Sequence, residues 1–382
     1  MTGSTTQQPS RFRVPGKRAP VSRLVFGTLR LHETARPLEL LDEAWRLGIR
    51  AFDTARVYGD GECERVLGEW VRSRAATGAI ALDDLTVITK GGCGAASAFW
   101  RPDLDPDALR RELDTSLDRL GVDAVDVYVL HRDQLDRPVG EICRTMQSFL
   151  DDGLIRAWGV SNWHTDRIEE AMRYATAHRL EPPACSSLQD SLATPAREPW
   201  PGTVFMDDAQ RAWYARNPSV AVLGWETLGK GFLAGRWSRR DAQDSHDTTD
   251  VYSNEWREMR LKGAYLTDDN FARRDRAARF AEAKGYRAEH AAIAWCLAQP
   301  YESHVITATV NPDHLRSNVR ALSLRLAPQD VDWLATGDAG VALPPPSAPR
   351  SSPRTPTPLI DYLAEAAAAA PRADAPVKDR VR

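Results

Sequence analysis

Short apolar runs alternate along this chain with stretches whose apolar residues recur at helical spacing. The run at 24–28 is typical of a buried strand, and Leu38, Leu41, Ala44 and Trp45 then share one face of a helix over 38–47. Further strands are predicted at 49–53, 85–90, 124–131, 155–161, 185–189, 220–225 and 304–308. Further helices are predicted at 62–73, 106–120, 138–151, 164–178, 207–216, 273–284, 288–299 and 312–321. About eight strand–helix repeats favour an α/β fold, the (β/α)8 TIM barrel.

The alternative for this pattern is an open, doubly wound sheet. That fold carries a glycine-rich GxGxxG motif after a strand, and none of the predicted strands is followed by one. The barrel is therefore favoured.

Three segments do not follow the alternation. Pro-Gly-Lys between two short apolar pieces predicts a β-hairpin over 12–21. Residues 190–206 read as a long loop, and 229–272 as a long insertion of loop and short helices. Loops of this length inside a compact domain are usually functional.

Composition divides the chain into three parts. We predict a disordered N-terminus at 1–11, a barrel domain at 12–340 and a Pro/Ala-rich, mostly disordered tail at 341–382. The tail also contains a short helix-forming stretch. The alternative to disorder is that this helix docks onto a partner.

The bulk properties narrow the class of protein. An apolar content of 42% and a charged content of 27% fit a soluble globular chain, and a net charge of -3 argues against nucleic-acid binding. Five scattered cysteines with no CxxC pair argue against a zinc site or a disulfide framework. The polar N-terminus and the lack of a long apolar run predict a cytoplasmic protein without a membrane segment.

Polar side chains stand where three consecutive predicted strands end. These are Asp53, Lys90 and His131, and Tyr58 follows Asp53 on a glycine-rich loop. Because active sites of parallel barrels lie at the carboxyl ends of the strands, we expect all four at one rim. Lys90, held by Asp53, would lower the pKa of Tyr58 from about 10. His131 would donate a hydrogen bond to a substrate carbonyl.

Further polar and aromatic residues end the later strands. Ser161, Asn162 and Gln189 offer hydrogen bonds to a planar carboxamide, and Trp225 offers a flat face for stacking. Packing alone is the alternative for each of them.

Five motifs carry a resemblance to a known family: FDTARVYG, ITKGG, DAVDVYVLHRD, GLIRAWGVSNW and VLGWETLGKGFLAG. On these the chain resembles the aldo-keto reductases from about residue 12 to 336. The resemblance implies a (β/α)8 barrel whose N-terminal end is closed by a hairpin, and a nicotinamide cofactor bound without a Rossmann domain. It also implies that Tyr58 is the general acid, that Lys90 and Asp53 tune it, and that His131 orients the carbonyl.

The resemblance further implies a set of cofactor contacts, with Leu228 to Gly231 along the diphosphate. The cofactor-binding residues would be Gly27, Thr28, Ser161, Asn162, Gln189, Trp225, Leu228, Gly229, Lys230, Gly231, Thr307, Thr309, His314 and Asn318.

The chain departs from the family pattern at two places. Val310 stands where an arginine for the adenosine 2′-phosphate is common and His314 where glutamine is common, although Arg316 or Arg320 could supply the charge. NADPH is therefore favoured, with NADH as the alternative. Glu226-Thr227 replaces the usual Ser-Pro and places a carboxylate near the cofactor.

These observations predict an NAD(P)H-dependent carbonyl reductase that acts on a small molecule and needs no metal. The substrate mouth would be lined by Arg30, Phe99, Trp100, Arg132 and Trp163, which suits an apolar, acid-bearing or polyhydroxylated substrate. One alternative is a dehydrogenase of an alcohol or sugar hydroxyl. The other is a nicotinamide-sensing regulatory subunit like those that associate with potassium channels. Monomer and homo-oligomer both stay open.

Overall fold

The computed structural model describes residues 11–94, 101–242 and 254–338. Eight parallel strands close into a barrel in chain order, with β1 paired to β8. The strands are β1 Leu24–Gly27, β2 Ala51–Asp53, β3 Thr86–Gly91, β4 Val125–Leu130, β5 Ile155–Ser161, β6 Cys185–Gln189, β7 Ala221–Trp225 and β8 Ser303–Thr307. Every predicted strand therefore has its counterpart, and the (β/α)8 barrel is confirmed.

Helices surround the barrel. They are α1 Pro37–Arg46, α2 Glu62–Ala76, α3 Pro106–Leu120, α4 Val139–Asp151, α5 Thr165–His178, α6 Asp208–Arg216, α7 Asn254–Tyr265, α8 Asp268–Glu282, α9 Ala288–Leu297, α10 Pro312–Arg320 and α11 Pro328–Thr336. Local sequence explains their ends, as α3 illustrates. The Asp105 side chain accepts hydrogen bonds from two N–H groups of the first turn, and Gly121 ends the helix in the left-handed region at φ 65°.

The alternation of strand side chains decides which residues face the barrel interior. Ala51, Ile88 and Val129 are buried there in one apolar cluster, whereas Phe52 points outward and packs against Trp70 of α2, with ring centroids 4.9 Å apart. Side chains on a strand return to the same face every second residue. Positions 53, 90 and 131, two residues after these interior positions, must therefore face the interior at the carboxyl-terminal rim.

The N-terminal hairpin prediction needs correction. The N–H of Val21 donates to the carbonyl of Phe12 at 2.9 Å, but no strand pair forms over 12–21. Pro15 and Pro20 lack the N–H groups that a β-ladder needs. The segment instead makes a turn, and Phe12, Val14 and Val21 are buried against the interior cluster at the amino-terminal end of the barrel.

The predicted insertion at 229–272 is more helical than expected. It contains α7, and α8 begins at Asp268 rather than at 273, because the side chain of Thr267 accepts a hydrogen bond from the N–H of Asn270 and caps the helix there. Helix α11 was not predicted at all. The predicted disordered segments fall outside the described residues, except Arg11, so the domain limits stay predictions.

Candidate active site

Asp53 and Lys90 form a buried ion pair at the rim. Their side chains lie 2.6 Å apart, and each is 3% exposed. The Lys90 ammonium also donates to the carbonyl of Thr54 at 2.9 Å and to the Tyr58 hydroxyl at 3.3 Å. Burial raises the pKa of Asp53, and Lys90 opposes that rise. The buried Lys90 ammonium thus has three partners. Asp53 balances its charge, and the Thr54 carbonyl and the Tyr58 phenol accept hydrogen bonds from it.

The pKa of Tyr58 differs from the sequence-based expectation. Burial raises the pKa of this phenol above its usual value, Lys90 lowers it, and Asp53 raises it further. The lowering by Lys90 is therefore present but is outweighed. Burial is the largest cause, and Asp53 offsets part of the effect of the ammonium. The phenol is consequently held protonated, as a proton donor must be before it acts.

His131 lies beside Tyr58 with the two rings edge to face, their centroids 5.9 Å apart. Burial, together with the charges of Lys90 and Arg132, holds the pKa of His131 well below its usual range. The imidazole is therefore neutral near pH 7, with one N–H to donate and one nitrogen to accept. Its Nδ1 lies 3.7 Å from the thiol of Cys93.

A second ion pair supports the loop that carries Tyr58, and sequence reasoning missed it. Arg56 lies 2.8 Å from Glu112 and donates to the carbonyls of Cys93 and Gly94. Arg119 of α3 donates to the carbonyl of Arg56 at 2.9 Å. Arg56 stands within the FDTARVYG motif, but nothing in the sequence indicates its partners on α3.

Ser161 ends β5 and Asn162 follows it, next to His131 of the β4 end. Asn162 adopts the left-handed region at φ 59°. Its amide donates to the carbonyl of His131 at 3.3 Å and to the Ser161 hydroxyl at 3.0 Å, and accepts from the N–H of Val204. The amide thus joins three segments of the rim and keeps Ser161 beside His131.

Gln189 and Trp225 end β6 and β7 at the same rim. The Gln189 amide donates to the hydroxyl of Tyr265 at 3.3 Å, and Tyr265 donates to Glu226 at 2.8 Å. Burial, followed by the charge of Glu226, raises the pKa of Tyr265 well above its usual value, so it stays a donor. Trp225 is half-buried. Tyr265 comes from α7, and no sequence signal pointed to it.

The turn that follows Glu226 has an unusual backbone. Gly229, Lys230 and Gly231 all have positive φ angles, of 54°, 53° and 95°, and Glu226 itself has a φ of 54°. Residues in this region other than glycine are strained unless their surroundings hold them. Leu228 is partly buried at the edge of the core. The turn brings backbone and one lysine close to the rim.

The β8 side of the rim contains the predicted adenosine contacts. The amide of Asn318 donates to the Thr307 hydroxyl at 2.7 Å, which links α10 to β8. The Thr309 hydroxyl accepts from the N–H of Asn311, and His314 is exposed. Gly27 has no room for a side chain, because a Cβ there would lie 2.8 Å from Ile306.

Both arginines that could replace the one missing at Val310 already have partners. Arg316 pairs with Glu43 and Asp313, each at 2.6 Å. Arg320 donates to the carbonyl of Gly285 at 3.5 Å. Both guanidinium groups would therefore have to exchange a surface contact to bind a phosphate.

Two predicted substrate residues lie in the interior of this rim. Arg132 donates to the carbonyl of Gly202 at 3.3 Å, and burial lowers its pKa to about 10. Trp163 is fully buried, and the guanidinium of Arg167 lies 5.5 Å from its ring centroid.

The remaining substrate predictions comprise one exposed residue after β1 and two residues that the structure does not describe. Arg30 is exposed and pairs with Glu33 at 2.6 Å. Phe99 and Trp100 lie outside the described residues.

The residues present fit a cofactor that brings an amide and phosphate groups. Thr28 has a fully buried hydroxyl without a hydrogen-bond partner in the described part of the chain. Ser161 ends β5, which stands across the barrel from β1 at the same rim. The turn at 229–231 adds positive-φ backbone and the partly exposed ammonium of Lys230. This donor set matches the chemistry that such a molecule requires.

The described residues include no cluster of three or more His, Cys, Asp or Glu side chains suited to a metal ion. They also include no helix that is long and apolar enough to cross a membrane.

Among known protein families, the model of the aldo/keto reductase family matches residues 23–336 of this chain. Similar curated proteins include a putative voltage-gated potassium channel subunit beta of Schizosaccharomyces pombe, 28% identical over 301 residues, or 76% of this chain and 80% of the other. A probable subunit of the same kind from Oryza sativa subsp. japonica is 29% identical over 302 residues, 77% of this chain and 84% of the other.

Solved structures agree in fold. A glycerol dehydrogenase from Gluconobacter oxydans superposes with a TM-score of 0.65 at 22% identity, covering 88% of this chain and 97% of the other. An aldo/keto reductase from Klebsiella pneumoniae in complex with NADP and acetate superposes with a TM-score of 0.60 at 22% identity, covering 86% and 94%.

Proposed function

This chain belongs to the aldo/keto reductase family, and we propose that it is an NAD(P)H-dependent oxidoreductase that reduces an aldehyde or ketone to an alcohol. The observation that carries the proposal is the contact of Lys90 with both Asp53 and Tyr58 beside a neutral His131. Packing alone would not favour a buried ion pair in contact with a phenol, since both ions must leave water.

The four side chains have complementary tasks in such a reduction. When bound, the nicotinamide supplies the hydride. Tyr58 donates its proton to the substrate oxygen, and the ammonium of Lys90, 3.3 Å from the hydroxyl, stabilises the phenolate that remains. Asp53 holds Lys90 in place. The N–H of His131 donates to the same oxygen and orients the carbonyl while negative charge grows on it.

Other residues of the rim would hold the cofactor. Ser161, Asn162 and Gln189 would bind its amide, Trp225 would stack on its ring, and the turn at 228–231 would lie along its diphosphate. Thr307 and Asn318 would face the adenosine. NADPH remains the proposed form, although Arg316 pairs with Glu43. Titration of tryptophan fluorescence with NADPH and with NADH tests the choice, and tighter NADH binding would contradict it.

The decisive experiment removes one hydroxyl. Tyr58→Phe should lower turnover of a reactive aldehyde by about 10²-fold or more, because the general acid is lost. NADPH affinity, measured by tryptophan fluorescence, should stay nearly unchanged. Tyr174→Phe is the matched control, since that hydroxyl bonds to Arg144 on the outer helices. Equal turnover in Tyr58→Phe and the wild type would refute the role of the phenol.

A dehydrogenase working in the opposite direction uses the same residues. One solved structure of the same fold is a glycerol dehydrogenase. Oxidation rates with NADP⁺ and a panel of polyols, compared with reduction rates of the matching carbonyls, decide between the two directions.

A regulatory subunit that senses nicotinamide is the second alternative, and the names of the curated relatives favour it. Those proteins are described as channel beta subunits. Tight cofactor binding, negligible turnover of a broad carbonyl panel and a co-purifying partner would support this function over the enzyme.

A further inference from the structure

Glu226 directly follows the last residue of β7 and has a positive φ angle of 54°. Its side chain is 5% exposed and ion-pairs with Lys230 at 3.4 Å. Its two oxygens also accept hydrogen bonds from Trp200 Nε1 at 2.7 Å and from the Tyr265 hydroxyl at 2.8 Å. The carboxylate therefore has three partners and only one of them is charged.

These partners come from three separate segments. Trp200 belongs to the loop at 190–206, Tyr265 ends α7, and Lys230 lies in the positive-φ turn. Tyr265 also packs on that turn, since a Cβ on Gly229 would lie 3.2 Å from its ring. Two neutral donors hold the Glu226 carboxylate in place. The carboxylate therefore stays next to the Lys230 ammonium.

Lys230 is the partner that can leave. Its side chain is 30% exposed, and its Nζ lies 5.9 Å from the centroid of the Trp200 ring. An ammonium that is partly in solvent exchanges partners at low cost, whereas the buried carboxylate is held by Trp200 and Tyr265. An anion that approaches the turn must therefore compete with Glu226 for Lys230.

We infer that Glu226 is a positioning residue that holds Lys230 as its counterion and so lowers the affinity of the 228–231 turn for phosphate groups. The inference rests on the proposed function, because the anion that matters is the cofactor diphosphate. It assigns a task to the carboxylate that the family resemblance leaves without one. Affinity for the cofactor is then set by an exchange of partners, in which the ammonium leaves a carboxylate to meet a phosphate.

Inorganic pyrophosphate tests this in the full chain without any turnover. Glu226→Gln keeps an acceptor for Trp200 and a polar partner for Tyr265 but removes the charge. The dissociation constant of Glu226→Gln for pyrophosphate, measured by tryptophan fluorescence, should be about fivefold lower than that of the wild type. Lys230→Met should weaken binding. In the double variant most of the gain should disappear, because the lysine that Glu226 restrains is absent.

Four results would overturn the inference. Glu226→Gln could bind pyrophosphate no tighter than the wild type, or neither protein could bind it. The gain could also be equal with and without Lys230, which would mean repulsion at a distance. Trp200→Phe separates charge from loop anchoring: it should change the affinity less than twofold, and a gain as large as that of Glu226→Gln would assign the effect to a loosened loop.

The same titrations with NADPH and NADH keep the two proposals apart. A wild type that binds neither cofactor refutes the proposed function, whereas the pyrophosphate comparison still decides the role of Glu226. A wild type that binds NADPH normally while Glu226→Gln shows no gain with pyrophosphate refutes the role of Glu226 alone.

Discussion

The two halves of the rim are built by different means. At the ends of β2, β3 and β4, Asp53, Lys90 and His131 meet because each stands two residues after an interior-facing apolar residue of its strand. At the ends of β6 and β7, strand pairing sets Gln189 opposite Trp225, but the side chains of Gln189 and Glu226 are linked by Tyr265, which lies 76 residues from the first and 39 from the second along the chain. Strand register thus accounts for the side-chain contacts of the first half, whereas those of the second also need packing of the insertion.

This difference separates two kinds of dependence. The side chains at the ends of β2, β3 and β4 should tolerate changes in the insertions, because barrel hydrogen bonds determine their positions. The side chains of the second half should respond to residues far away in sequence.

The largest effect is expected at the buried ion pair. Lys90→Met leaves Asp53 buried without its counterion and should reduce the free energy of unfolding by about 3–5 kcal/mol, together with most of the turnover. Urea unfolding measures the loss of stability, and assays on the folded fraction measure the loss of turnover. Lys17→Met is the matched control, since Lys17 pairs with Asp126 at 2.9 Å at the other end of the barrel.

The control should lose stability but not turnover. Its loss should also be smaller, because Asp126 keeps Arg156 at 3.3 Å and the N–H of Val87. An equal loss of turnover in both variants would show that the rim depends on general stability rather than on its own ion pair.

A smaller effect is expected in the second half. Tyr265→Phe removes a hydrogen bond to a buried carboxylate and should cost about 1.5–3 kcal/mol of unfolding free energy. Tyr214→Phe removes a buried hydrogen bond to the hydroxyl of Ser186 and should cost only about 0.5–1.5 kcal/mol. Urea unfolding compares the two. Identical costs would argue that Glu226 is not held by Tyr265 as a charged acceptor.

The smallest effect is a dependence of stability on pH. The pKa of His131 is lowered in the folded state by burial and by Lys90, so the unfolded state binds more protons below pH about 6.5. This contribution is fully present above pH 6.5 and is lost as the pH falls below it.

His131→Gln removes that dependence, and the comparison needs unfolding curves at pH 7.5 and 5.5. The wild type should lose about 1.4 kcal/mol more than the variant between the two pH values. Parallel losses in the two proteins would contradict a neutral, desolvated imidazole at this rim.

Sequence reasoning recovered the elements with strong periodicity and the residues that follow them. Asp53, Tyr58, Lys90 and His131 were found because a strand end is visible in the sequence and a barrel brings strand ends together. The prediction of a hairpin at 12–21 was wrong, because two prolines in this segment lack the N–H groups that a β-ladder needs. Helix α11 was missed, and α7 was predicted only as one of several short helices without bounds, because the apolar faces of both are short and irregular.

The amino-acid sequence alone determined the barrel, the order of its strands and the identity of the groups at the β2–β4 rim, because periodicity and strand register are local properties of the chain. Only the tertiary structure decided the partners of Glu226, the contact of Arg56 with Glu112, and the direction in which the pKa of Tyr58 is shifted. Each of these depends on burial and on contacts between distant segments. A residue's burial and the balance of nearby charges exist only after the chain has packed.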